Sequence, residues 1–208
     1  YVLALDMGSS SVKCLIAGMD GSVCALQHRR VTYFSPEGLA PLAREFSPGT
    51  VWEDVCELIK GSLGGAGIQG EDIVAVSATS QRGGIVLLDA HGRELYAGPN
   101  QDPRAFFEGM AIDEKQAEEI YSVTGHLPSF LFAPAKLQWF RDHRPEVFAR
   151  TDRVLPISGW LSLRLSGEAS SERSALAEIG LLNVGTGEGN DAILSGLAVD
   201  ANILPSVG

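Results

Sequence analysis

The opening stretch, Tyr1-Val-Leu-Ala-Leu-Asp-Met-Gly-Ser-Ser-Ser-Val-Lys-Cys-Leu-Ile, constrains the fold most, because it sets an acid and a hydroxyl-rich turn between two strand-like runs. Val2 to Leu5 form a short apolar run that Asp6 ends, Gly8 permits a tight backbone path, and Val12 to Ala17 resume strand composition. This strand, turn, strand layout separates the segment from two common phosphate loops. The Walker loop needs GxxxxGK followed by Ser or Thr at the opening of a helix, and the dinucleotide loop needs GxGxxG there. A turn without a side chain at Gly8 lets backbone N–H groups approach phosphate oxygens, while Ser9, Ser10 and Ser11 add hydroxyl donors. Asp6 at a strand end suffices to hold magnesium, which takes one or two carboxylates and fills its shell with water and phosphate oxygens. Lys13 supplies charge nearby. The same residues also suit an ordinary hairpin, in which Gly and Ser serve only the turn.

Composition narrows the class. The chain is 45% hydrophobic and 20% charged with 24 glycines, which predicts a turn-rich mixed α/β domain, and its 208 residues suffice to bury most of the unfolded surface. A formal net charge of -10 argues against general nucleic-acid binding and against an anionic membrane surface. It leaves ATP open, because a local donor-lined turn binds phosphate in an acidic protein. Cys14, Cys24 and Cys56 are odd in number and lack CxxC spacing, so neither a disulfide framework nor a zinc site is expected. No apolar run approaches the roughly 18 residues of a membrane helix, and the start lacks a signal-peptide pattern. A reducing, cytoplasmic setting is the expectation. The start at Tyr1 and the stop at Pro205-Ser-Val-Gly208 read as the cropped ends of a longer chain.

The punctuation predicts the elements. Asp20-Gly21 leads into Val23 to His28, giving an antiparallel three-strand meander. Thr50-Val-Trp-Glu53 reads as a capping box, and Val51, Val55, Leu58 and Ile59 recur at helical spacing until Gly64-Gly65. Strands are expected at Ile73 to Ala78, Ile85 to Asp89 and Glu94 to Ala97, with a turn at Ala90 to Arg93. Helices are expected at Glu114 to Val123, at Ala135 to His143 after Pro134, at Trp160 to Leu165 before Gly167, and briefly at Ala192 to Leu197. The whole reads as a single lobe with an inserted helical portion. His28, His91, His126 and His143 show no metal-ligand spacing, Ser9 to Ser11 lack a GxSxG setting, and Trp52, Trp139 and Trp160 read as packing residues.

Asp6-Met-Gly-Ser-Ser-Ser-Val-Lys13, Glu45-Phe-Ser-Pro48, the Gln81-Arg-Gly-Gly84 turn, Asn100-Gln-Asp-Pro-Arg104, Pro134-Ala-Lys-Leu-Gln-Trp139 and Leu161 to Gly167, in that order, resemble segments of the FGGY carbohydrate kinases of the actin, sugar kinase and Hsp70 superfamily. Asp6 to Lys13 is similar to the family's Asp-x-Gly-Thr opening; Glu45-Phe-Ser-Pro48 and Trp52 to its acid, proline and tryptophan; and Ile73 to Asp89 to its strand, Gln-x-x-Gly turn and strand. Asn100-Gln-Asp-Pro-Arg104 resembles Trp-x-Asp-x-Arg, Pro134 to Trp139 resembles Pro-x-Lys-Leu-x-Trp, and Leu161 to Gly167 resembles Leu-x-x-x-Leu-x-Gly. The resemblance implies a ribonuclease H-like (actin-like ATPase) N-terminal lobe, a mixed sheet with three antiparallel opening strands flanked by helices.

It also implies ATP-dependent, magnesium-dependent phosphorylation of a sugar or polyol hydroxyl, a ketopentose such as xylulose being the expected acceptor. Asp6, Gly8, Ser9, Ser10, Ser11 and Lys13 would serve ATP, with Asp6 also the metal ligand. Gln81, Arg82, Gly83, Asp102 and Arg104 would serve the acceptor. Without the resemblance, Asp102 reads as the cap of a helix near Pro103 and Arg104 as a surface ion pair. The family's catalytic aspartate lies in a Gly-x-x-Asp segment beyond the region matching Leu204-Pro205, so the base is expected past Gly208; Asp191 stands in the wrong context. The adenosine-binding C-terminal lobe follows in the family too, so this chain alone is expected to be inactive, and a homodimer is expected by resemblance only. Two departures bear on the acceptor: Asn100 replaces tryptophan, and Arg82-Gly83 replaces the Met-His of the xylulose branch. A silent sugar sensor and another ATPase of the superfamily stand as alternatives.

Overall fold

Period-two burial builds the first layer. In the computed structural model, which describes residues 1–207 apart from the side chain of residue 201, β1 (Val2–Met7) buries Leu3, Leu5 and Met7, and β2 (Ser11–Ala17) buries Val12, Cys14 and Ile16. These alternate positions share one face of the sheet, as strand geometry requires. β3 (Val23–Arg30) pairs antiparallel with β2, completing the expected meander, with Asp6 opposite Lys13 in the β1–β2 register. The chain end at Gly208 lies outside the described residues.

A short ribbon of β4 (Tyr33–Phe34) and β5 (Glu45–Phe46) leads to α1 (Pro48–Ala66), which lays Val51, Val55 and Leu58 on the buried face of β1 and β2. The expected capping box at Thr50 and Glu53 is not the start of this helix. Ser47 is the N-cap, its hydroxyl accepting from the Thr50 N–H at 3.4 Å, because Pro48 opens the helix where no N–H is needed. β6 (Ala75–Ser80) then returns parallel to β1, two residues later than the expected start, so the sheet order is β3-β2-β1-β6.

A second sheet ties the halves together. β7 (Ile85–Leu88) is flanked by β8 (Glu94–Gly98) and, beyond α2 (Phe106–Thr124), α3 (Ala133–His143) and α4 (Pro145–Phe148), by β9 (Arg153–Pro156). All four β7 side chains are buried: Val86 and Leu88 join the core under α1, and Ile85 and Leu87 join a second core under α3. A strand covered on both faces reads as an unbroken apolar run. α5 (Ile157–Ser166), β10 (Ser170–Ser171), α6 (Arg173–Glu178), α7 (Asp191–Leu197) and β11 (Ser206–Val207) complete the described elements. Trp160 and Trp139 are buried as packing residues, and Arg164 lies over the Trp52 ring at 4.9 Å. No helix among the described residues is long and apolar enough to cross a membrane.

α2 starts eight residues before the expected Glu114, and its early entry depends on Gly109. A Cβ there would meet the Phe130 N and Cα at 2.5 and 2.6 Å, both backbone atoms that cannot swing aside. Gly109→Ala gains about 1 kcal/mol of helix propensity but loses about 1–3 kcal/mol to overpacking, so a net fall in thermal midpoint is expected. A midpoint unchanged or raised in a melting curve would contradict this close approach.

Candidate active site

The turn after β1 closes on itself: the Gly8 N–H donates to the Ser11 carbonyl at 3.0 Å, leaving Ser9 and Ser10 at the tip. A Cβ on Gly8 would meet only the Ser11 carbonyl, at 3.6 Å, an ordinary contact. The hairpin itself therefore does not demand glycine there. The space beside Gly8 is otherwise open, the condition that a phosphate cradle would require. Asp6 and Lys13 face each other across β1 and β2, with the Lys13 Nζ at 2.9 Å from Asp6 Oδ2 and both side chains over two-fifths exposed. No cluster of three or more His, Cys, Asp or Glu exists among the described residues. The donor set thus fits magnesium, which needs a single carboxylate, and not a protein-caged metal.

Gln81 follows β6 directly and sits at the end of β1, its N–H donating to the Met7 carbonyl at 2.8 Å. Its amide ties two further loops: Oε1 accepts from the Asn100 N–H at 3.1 Å and Nε2 donates to the Tyr33 hydroxyl at 3.2 Å. The structure thus brings the Asp6 turn, Gln81 and the start of the 99–105 loop together. Arg82, largely exposed, lines an open pocket of ≈ 200 Å³ with Gln81, Gly83, Ser158, Glu172 and Glu178, and reaches Glu178 only at 3.6 Å. Gly83 is buried with φ +71, a backbone that side chains rarely adopt.

Asp102 and Arg104 do not join the open cleft. Asp102 is fully buried; Oδ2 accepts from the Tyr96 hydroxyl and Arg104 Nε, both at 2.6 Å, and Oδ1 from the Arg44 N–H at 3.0 Å. Arg104 also donates to Glu45 at 2.6 Å, and its guanidinium lies 4.5 Å from the Tyr96 ring and 5.0 Å from that of Trp139. Neither plain alternative holds: the ion pair is buried, and α2 starts at Phe106 with Ala105 as N-cap. Burial, and then the neighbouring Asp102 charge, push the Tyr96 hydroxyl well above its ordinary pKa, so it stays a donor.

Two contributors, Tyr96 and Glu172, escaped the sequence reading, and Glu45 was read only within its motif, without its partner. Tyr96 and Glu45 complete the Asp102 and Arg104 cluster, and Glu172 lines the Arg82 pocket as N-cap of α6 without making a side-chain capping bond. The Ser-Ser-Glu run before a short helix was the available signal for Glu172, although it reads equally as a cap. Asp191, set aside as a base, opens α7 in an exposed position.

Residues 1–208 match the family model described as the N-terminal domain of the FGGY family of carbohydrate kinases. The chain belongs to the FGGY carbohydrate kinases. Curated relatives include the autoinducer-2 kinases of Klebsiella pneumoniae, 31% identical, and Escherichia coli K12, 32% identical. Each is matched over 100% of this chain, which spans 39% of the relative's length. Solved FGGY-type folds superpose closely: gluconate kinase from Lactobacillus acidophilus (TM-score 0.90, 22% identity) and xylulose kinase from Rhodospirillum rubrum (TM-score 0.88, 23% identity). This chain is covered fully in both, against 41% and 42% of those chains. At that identity the likeness establishes the fold, a sugar-kinase lobe of the actin-like ATPase type.

Proposed function

We propose that this FGGY lobe supplies the acceptor side and part of the phosphate side of an ATP-dependent sugar or polyol kinase, its adenosine site lying on a further lobe of the same polypeptide. The observation that carries the reading is the convergence of the Asp6 turn and the Gln81 and Asn100 loops, within a chain matched end to end by the family. Ser9 and Ser10 offer donors to phosphate at the exposed tip of the turn, with Ser11 behind them and Lys13 adding charge. Magnesium, held by Asp6, would neutralise charge on the transferring phosphoryl group. Gln81 holds the cleft wall together, and Arg82 and Gly83 border the acceptor. Asp102 and Arg104, enclosed beneath their loop, act by fixing its shape. The catalytic base would come from the further lobe, as would closure against water. A cytoplasmic location belongs to the same reading.

Acceptor identity is the finer question. Autoinducer-2, the substrate in its relatives' name, joins ketopentoses, aldonates and polyols as candidates, since Asn100 and Arg82-Gly83 reshape the wall that a xylulose enzyme would present. The test is ADP release by the full-length protein with magnesium and ATP across xylulose, ketohexoses, gluconate, glycerol and autoinducer-2. Acceptor-dependent release by at least one compound is expected. Silence throughout, with acceptor binding still measurable by calorimetry, would replace the kinase by a sensor.

A further inference from the structure

The Pro134 to Trp139 segment carries a lysine that the site described above does not use. Lys136 lies in the first turn of α3 and is fully buried. Its Nζ donates to the Pro99 carbonyl at 3.0 Å and to the Gly83 carbonyl at 3.2 Å. Those carbonyls end the Gln81 to Gly83 turn and begin the Asn100 to Arg104 loop, the two segments that border the proposed acceptor site. From these contacts we infer that Lys136 is a positioning residue, stapling the two acceptor loops from beneath and setting the gap between them.

Several observations support this over plain packing. An ammonium is costly to bury, and the same volume filled by methionine or leucine would carry no desolvation penalty. Lys136 makes no ion pair within 4.0 Å among the described residues, so the two carbonyls are its partners. Burial, opposed by the nearby Asp102 charge and aided by that of Arg104, holds its pKa at about 8, so the cationic donor persists at neutral pH. Gly83, at φ +71, presents its carbonyl from a conformation that other residues resist. The bond from the Asn100 N–H to Gln81 Oε1 joins the same two loops on the cleft side. Cleft-side tie and buried staple together fix both edges of the opening.

The inference rests on the kinase reading, and its test separates the two. In the full-length protein, Lys136→Met is expected to raise the acceptor KM about tenfold or more, as a displaced binding wall does, while the KM for ATP stays within about twofold. Val154→Ala, a cavity in the second core on β9, where the residue pairs with Leu87 and belongs to neither loop, serves as the stability control and is expected to leave both KM values in place. An acceptor KM unchanged in Lys136→Met, or raised equally in Val154→Ala, would overturn the staple. Should Lys136→Met fail to fold, Lys136→Gln, too short to span both carbonyls, must show a rise confined to the acceptor KM; an unchanged acceptor KM there overturns the inference as well. A wild-type protein that phosphorylates no acceptor overturns the kinase reading itself.

Discussion

Asp6→Ala in the full-length protein is expected to lower kcat by roughly a thousandfold, the scale of a lost metal-held phosphoryl contact worth several kcal/mol. Thermal stability should stay close to wild type. The Asp6 and Lys13 side chains are 42% and 49% exposed, and an ion pair so well solvated contributes at most about 1 kcal/mol. Loss of turnover without loss of stability is therefore the signature of a residue kept for chemistry. Lys13 sharpens the result. If Asp6 served only to hold Lys13, then Lys13→Ala would cost as much turnover as Asp6→Ala. We expect Lys13→Ala to fall well short of it, with the magnesium dependence of the rate preserved. An Asp6→Ala protein retaining near-wild-type kcat at saturating magnesium would remove Asp6 from the site.

The difference between this hairpin and the remainder of the site explains what was legible in the sequence. The β1 turn is local: its strands alternate with period two, and Gly8 and Asp6 lie within a few residues of each other, so pattern and chemistry could be read together. The meander, α1, α3 and the short α7 were readable for the same reason. Contacts made at long range were not. β7 finds its second partner, β9, only after three intervening helices, and nothing in Arg153 to Pro156 announces that pairing. The α1 start was misplaced because Ser47-Pro48 and Thr50-x-x-Glu53 both satisfy the rules for a helix N-terminus, and proline decided between them. At Asp102 the ambiguity was deeper. An Asp-Pro-Arg loop looks the same whether it faces solvent or a core, and only Tyr96, Glu45 and Trp139, brought in from other elements, make it a buried cluster.

That burial reverses the expectation for the second aspartate. Asp102→Ala is expected to destabilise the domain by about 3–5 kcal/mol, the cost of removing one partner from a buried charge pair. For a domain of this size the thermal midpoint would fall by roughly 6–20 °C. The physical reason is the number of donors left without an acceptor: the Tyr96 hydroxyl, the Arg104 Nε and the Arg44 N–H all end on this carboxylate. Arg104 keeps Glu45, but the enclosed cluster changes from two carboxylates facing Arg104 and Lys136 to one. A surplus positive charge then sits where water cannot reach it. Asp102→Asn separates charge from shape: it retains an acceptor oxygen and should lie between wild type and alanine. Catalysis would fall in step with the folded fraction and with the loosening of the Asn100 loop, appearing first as a higher acceptor KM. A variant with a wild-type midpoint and abolished acceptor use would show instead that the carboxylate reaches the acceptor directly, and that the loop opens to let it do so. The two aspartates thus make opposite demands on one pair of assays: exposed Asp6 should lose rate and keep its melting curve, and enclosed Asp102 should lose the melting curve first.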